Sequence, residues 1–333
     1  MRNGLSGLRF GGVSMRSDVA FCALVSLALG GLSWGEPSVA RVTHREFQAV
    51  NGSGEQTFKA TQKVILEGIV LHNPADMLNP TPDDTITQMY NLGGQWQLFF
   101  QGEGEDHAGT AVYLAQRYDN LPWIMPGGGY SNAQFIAELS RINAARFTVG
   151  DRIRVTGWFL SYKGKYNINE QHDNNPDHDF TIELVARGVG LPKPEVVSLD
   201  ELKDDQDRFV FDPARLVGGE YHQGRLIKID DVNVVDAKGW GPDGTLTVIN
   251  GTKTFPIKLG RGNGIYPGSF NLNQPFDVIG ILDQDSADLR SGYRLYVMNY
   301  DGNGQVLASY EHRMAGQSTA ASVNNGANPS IQK

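Results

Sequence analysis

The 333-residue sequence holds 40 glycines and 15 prolines, with charged residues at 20%, a mix that suits many short strands joined by turns and speaks against a helix bundle. Its length allows two domains, or one large β domain, and either can bury a core. A net charge of −8 opposes loose attachment to phosphate backbones, and a single cysteine, Cys22, rules out an internal disulfide or a thiolate metal cage.

Residues 1–40 read as an export signal. Arg2, Arg9 and Arg16 precede an apolar run over 19–34, and small residues follow it. Ser38-Val39-Ala40 resembles a cleavage site, and Gly35 is a second candidate; Met15 offers an alternative start. The run is short for a spanning helix, which needs about 20 residues, so no membrane span is expected after cleavage. Residues 1–40 carry a net +1 (three arginines against Asp18 and Glu36), so the rest carries −9 and no cysteine. The expected location is periplasmic or extracellular.

Residues 41–62 form a polar lead-in. Over 63–187 the pattern predicts an OB-like barrel. KVILEGIVLH (63–72) is β-branched with Gly68 at its middle, where a barrel strand bends. A polar loop over 73–94 leads to QWQLFFQ (95–101), GEGEDHAG and TAVYLA (110–115), a hairpin pattern. Residues 131–146 predict the one clear helix, capped by Ser131, with Phe135, Ile136, Leu139 and Ile142 as its apolar face. RIRVTGWFL, KYNIN and FTIELVA (180–186) supply later strands, with a polar loop over 171–179. A helix between the third and fourth strands of a five-stranded Greek-key barrel is the OB arrangement.

Residues 188–215, with Pro192, Pro194 and the charged run DELKDDQD, read as a linker. A second OB-like barrel is expected over 216–311. YHQGRLIKIDDVNVV parallels the first strand, with Gly224 in the place of Gly68, and PFDVIGILDQ (275–284) parallels RIRVTGWFLS. GTLTVIN, KTFPIKLG and GYRLYVMN supply the other strands, and GRGNGIYPGSFNLNQ replaces the helix. The fold class is therefore all-β with one short helix, as two tandem OB-like Greek-key barrels. Residues 312–333 are rich in small polar residues and predict a disordered tail.

The run Val149-Gly150-Asp151, then Val155-Thr156-Gly157, Tyr162, Gly164 and Ile168, continues into Leu191-Pro192, Pro194, Val197, Leu199 and finally Gly224. In this order it resembles the OB-like region of bacterial extracellular nucleases of the YhcR type. The resemblance covers roughly residues 63–300, and its motifs are turns and strand cores. It implies an accessory binding module. That family's catalytic domain lies outside the region, and its glutamate at the opening of the second barrel is Gln223 here. No catalytic residue is carried over.

The residues offer few chemical constellations. His172, Asp177, His178 and Asp179 share one loop and are weak candidates for a divalent metal. Asn299, Asp301, Asn303 and Gly304 mimic the start of a calcium loop, but its twelfth position is Tyr310. No nucleophile motif is present, and Gly127-Gly128-Gly129 lacks the lysine of a phosphate loop. No cofactor is expected.

A binding face is the stronger expectation, since OB barrels grip ligands on strands 2–3 and the flanking loops. In the first barrel the candidates are Trp96, Phe99, Tyr113, Arg154, Trp158, Tyr162, Lys163, Lys165 and Tyr166, aromatics interleaved with cations that suit stacking on bases and pairing with phosphates. The turn holding Tyr162, Lys163, Lys165 and Tyr166 is expected to be exposed. The leading expectation is an exported, non-catalytic binding protein for single-stranded nucleic acid or another extracellular polymer. A protein partner in an envelope or matrix role is the alternative, and a metal-dependent hydrolase a minor one.

Overall fold

The computed structural model describes residues 39–80, 92–118, 128–237, 241, 244–262 and 275–298. The expected signal up to residue 38, the calcium-loop mimic over 299–310 and the tail over 312–333 lie outside the described residues, as do residues 263–274 of the glycine-rich segment 260–274. Among the described residues no helix is long and apolar enough to cross a membrane.

The first barrel is built from β2 (Val64–Val70), β4 (Gln95–Gln101), β5 (Gly109–Ala115), β6 (Arg152–Gly157), β7 (Phe159–Tyr162) and β8 (Lys165–Asn169). Its neighbours run β7-β8-β5-β4-β2-β6. β5 and β8 are parallel, and the other pairs are antiparallel. β6 passes into β7 through Trp158 alone, so one bent strand pairs with β2 in its first half and β8 in its second, and the ring closes. Two short strands, β1 (Ala40–Arg41) and β3 (Leu78–Asn79), pair with β2 and β4, and β9 (Thr181–Ala186) extends the sheet beyond β6.

Helix α2 (Asn132–Ile142) stands between the third and fourth strands. Ser131 and Gln134 cap it reciprocally, satisfying two N–H groups of its first turn. Phe135, Glu138 and Ile142 face inward, with Leu139 beside them. Ile136 was expected on that face, yet it is 56% exposed. One residue turns a helix by 100°, enough to carry Ile136 off the inner stripe.

The lead-in is folded onto this barrel. Helix α1 (His44–Phe47) is capped by Thr43 and Glu46, and Phe47 and Val50 are buried. Phe47 packs against Phe58, Phe159 and Tyr166, with ring centroids 5.3–5.6 Å away.

The second barrel has β11 (Leu226–Asp236), β12 (Thr245–Asn250), β13 (Lys253–Leu259), β14 (Phe276–Gln284) and β15 (Tyr293–Val297). They pair in the ring β11-β12-β13-β15-β14-β11, with β13 and β15 parallel, which is OB connectivity throughout. The segment read as a linker covers this barrel: β10 (Glu195–Val196) adds to β11, and helix α3 (Leu199–Leu202) places Leu199 and Leu202 in its core.

The bends of the two barrels are made differently. Gly68 sits where β2 passes from β6 to β4, and a Cβ there would lie 2.4 Å from the Gln101 carbonyl oxygen. Gly224 does not repeat it. It precedes β11, with φ +73°, and packs backbone to backbone on Gly109. The counterpart bend in β11 falls at a register shift between Ile229 and Val232, where Asp231 has φ 53°. Aspartate tolerates that left-handed region better than most residues, so no glycine is needed. Gly157 and Gly280 do correspond. Each marks the bend of the fourth strand, and a Cβ would strike the fifth: Ile168 at 2.7 Å in one barrel, the Tyr296 carbonyl oxygen at 2.5 Å in the other.

Candidate ligand face

Alternation along β4 sends Trp96, Leu98 and Phe100 into the first barrel's core, and Gln97, Phe99 and Gln101 outward. The outward set is buried as well, because the second barrel lies on it. Leu71, Met77, Phe99 and Ala111 of the first barrel meet Leu226, Ile281, Tyr296 and Met298 of the second. The Phe99 and Tyr296 rings are 5.8 Å apart. Around this apolar patch, the Gly109 N–H donates to the Gln223 carbonyl at 2.9 Å, and the Leu226 N–H to Gln101 Oε1 at 2.9 Å. The strand 2–3 face of the first barrel is therefore a joint rather than an open ligand surface.

That geometry corrects most of the expected binding set. Trp96 is a core residue whose Nε1 donates to the Pro74 carbonyl at 3.1 Å. Phe99 belongs to the joint. Tyr113 donates to Gln95 Oε1 at 3.1 Å, which also accepts from Arg261 of the second barrel. Tyr166 packs under Phe47 and donates to the Phe58 carbonyl at 3.0 Å. Lys165, expected at an exposed turn, is buried, and its Nζ bonds Asp283 and the Gln284 carbonyl. Lys163 pairs with Asp285 at 2.6 Å. The turn is inserted into the second barrel because Gly164 lets it come close: a Cβ there would lie 2.2 Å from Gln284.

Arg154, Trp158 and Tyr162 remain at the surface but do not converge on one spot. Arg154 pairs with Glu67 and Glu183. Trp158 Nε1 donates to the Asp177 carbonyl at 3.2 Å, and its ring meets His178 edge-on. Tyr162 is 45% exposed with the Lys163 ammonium 5.1 Å from its ring.

The loop 171–179 does not gather its metal candidates either. His172 stacks on Tyr118 at 4.3 Å, and burial first of all lowers its pKa to about 4. His178 Nδ1 pairs with Asp173 at 2.8 Å. Asp177 contributes its carbonyl to Trp158. Asp179 turns instead to Glu138 and Glu170, and carboxylate oxygens of these three lie within 4.8 Å of one another. Arg141 threads the group: its Nε contacts both Glu138 oxygens at 2.8 and 2.9 Å, Nη1 the Phe180 carbonyl at 2.8 Å and Nη2 Glu170 at 3.4 Å. Tyr130 donates to the other Glu170 oxygen. Burial pushes the Glu170 pKa up to about 9, with Glu138 adding to the rise. One guanidinium and one retained proton thus offset much of the acidic charge, and the group ties α2, β8 and the loop together. Sequence reasoning missed Glu138 and Glu170. The available signal was a glutamate three residues after Phe135 on the inward stripe.

Among the described residues, no second barrel covers the strand 2–3 face of the second barrel in this way. Along β12 and β13 the core takes Leu246, Val248, Phe255, Ile257 and Leu259. The opposite face carries the cross-strand pairs Thr245–Lys258, Thr247–Pro256 and Ile249–Thr254, partly or fully exposed. Asp207 fastens one end, accepting from the Thr254 N–H at 2.9 Å and its hydroxyl at 2.6 Å. Hydroxyls, an ammonium and β-branched side chains suit the sugar and phosphate of an extended strand better than deep stacking.

No family model matches the chain, and no curated protein is similar to it. Among solved structures, it is similar to a HINa domain in complex with 20-base-pair double-stranded DNA, at 11% identity and a TM-score of 0.27, over 71% of this chain and 92% of that one. A murine DNA-binding protein bound to double-stranded DNA is similar at 10% identity and a TM-score of 0.29, over 69% and 92%. The single-stranded DNA-binding protein of Thermus aquaticus, as a deletion mutant, is similar at 12% identity and a TM-score of 0.16, over 71% and 90%. At such scores the OB assignment stands on the strand pairing of this chain alone.

Proposed function

We propose that the protein is an exported, non-catalytic binding protein that holds extracellular nucleic acid on the β12–β13 face of its second barrel. The observation that carries this reading is the asymmetry of the two OB faces: the first is sealed by the joint, and the second presents Thr245, Thr247, Ile249, Pro256 and Lys258 outward. The resemblance of roughly residues 63–300 to the OB-like region of YhcR-type nucleases, which implies an accessory binding module, points the same way.

The acidic balance predicts weak electrostatics. One or two ammonium–phosphate contacts give a slope of log K on log salt of about −0.7 to −1.4 for single strands. Titrating the purified protein into labelled single- and double-stranded DNA across a salt series reads this slope. Saturable binding that Thr247→Glu/Lys258→Glu abolishes is the expected result. Binding that survives this double change, or none at low salt, contradicts it. In the second case weight passes to a protein partner in the envelope or matrix, a reading favoured by the apolar Ile249 and Val235 near that face.

A further inference from the structure

We propose that Lys165 and Asp283 form an intramolecular isopeptide bond that locks the two barrels together. The two side chains come from different barrels, 118 residues apart in the chain, and are 5% and 1% exposed. Lys165 Nζ is bonded to Asp283 Oδ1 and, at 2.8 Å, to the Gln284 carbonyl. Arg294 holds the other carboxylate oxygen, Oδ2, through Nε at 3.2 Å and Nη2 at 3.0 Å. The guanidinium is itself fixed over the Tyr296 ring at 4.9 Å and by Asp285 at 2.8 Å.

The arrangement has the parts that amide formation needs. Nucleophile and carboxyl carbon are held side by side, which replaces a bimolecular encounter with an intramolecular one. Arg294 faces the oxygen on which negative charge builds in the tetrahedral adduct. Burial, followed by the Arg294 charge, lowers the lysine pKa, although Asp283 opposes them, so the free amine is more accessible than in water. The Nζ lone pair forms the new bond to Asp283 Cγ, and the Cγ–Oδ1 bond breaks. Two protons of the ammonium leave with Oδ1 as water, and Oδ2 remains as the amide oxygen in the grip of Arg294. Ammonium and carboxylate thus become amide and water, with no oxidant or co-reactant. The lone cysteine, Cys22, offers no disulfide that could do this work.

Peptide mass spectrometry of the purified full chain, after digestion with an acid protease, tests the bond. The expected product is a branched peptide containing residues 165 and 283, lighter than its two linear parts by one water, and absent from Lys165→Arg. Because the deciding sample is the unaltered protein, poor folding of the variant does not obscure the answer. Recovery of both residues in separate linear peptides overturns the proposal. So does a loss of water placed elsewhere, such as a succinimide at Asp301-Gly302.

Discussion

At the scale of single residues, buried titratable groups set how stability responds to pH. Burial lowers the His44, His172 and His222 pKa values from 6.5 to about 4. His44 is neutral, its Nδ1 accepting from the Thr110 hydroxyl at 2.9 Å and its Nε2 facing the Glu67 carbonyl at 3.3 Å. Between pH 6.5 and 4 the unfolded chain binds the protons that these rings refuse, so their contribution is complete above 6.5 and is lost as pH falls. Fully buried His44 alone accounts for a loss on the order of 3 kcal/mol. Glu170 acts in the opposite sense. Its pKa rises from 4.5 to about 9, so its contribution is complete below 4.5 and lost as pH rises toward 9. Melting temperature is therefore expected to peak near pH 6.5 and fall on both sides. Glu170→Gln should flatten the alkaline limb and steepen the rise between pH 4.5 and 6.5, where Glu170 otherwise opposes the histidines; an unchanged alkaline limb contradicts the assignment. The sequence could not reveal these states. Spacing along a strand says which side chains alternate, but not which of two sides another part of the chain covers. Trp96 and Phe99 read alike in QWQLFFQ, yet one lies in the barrel core and the other in the joint.

At the scale of elements, the sequence was far more legible. Apolar alternation placed the strands, the serine cap placed α2, and Gly68 marked the bend of the first strand. The misreading of Gly224 has a physical cause: a glycine near a strand signals either a bend or a close approach, and here it is the latter. Gly109 and Gly224 touch backbone to backbone, and a Cβ on Gly109 would lie 2.0 Å from the Gly224 carbonyl oxygen. Backbone cannot step aside as a side chain can, so Gly109→Ala should cost about 1–3 kcal/mol in urea unfolding, the range of overpacked interiors. Gly52→Ala, with nothing within 4 Å, should change stability little. Equal effects of the two substitutions would count against the joint.

At the scale of the whole molecule, the joint decides what the protein can offer a ligand. Its apolar centre covers Phe99 and Ala111, and at its edges Lys163 and Lys165 pair with Asp285 and Asp283 of the second barrel. A basic, aromatic turn in the sequence thereby becomes an internal fastening, and the open surface shifts to β12 and β13. Composition carries no trace of this, because an outward-facing patch of a barrel looks the same whether water or a second barrel lies against it. The most direct measurement is hydrogen–deuterium exchange of the protein alone and with a single-stranded oligonucleotide. Peptides of β4 and β5 should already exchange slowly without ligand and stay unchanged, while β12 and β13 gain protection when the oligonucleotide is added. Fast exchange over β4 and β5 in the free protein, with protection appearing there on binding, would contradict the sealed face and return the site to the first barrel.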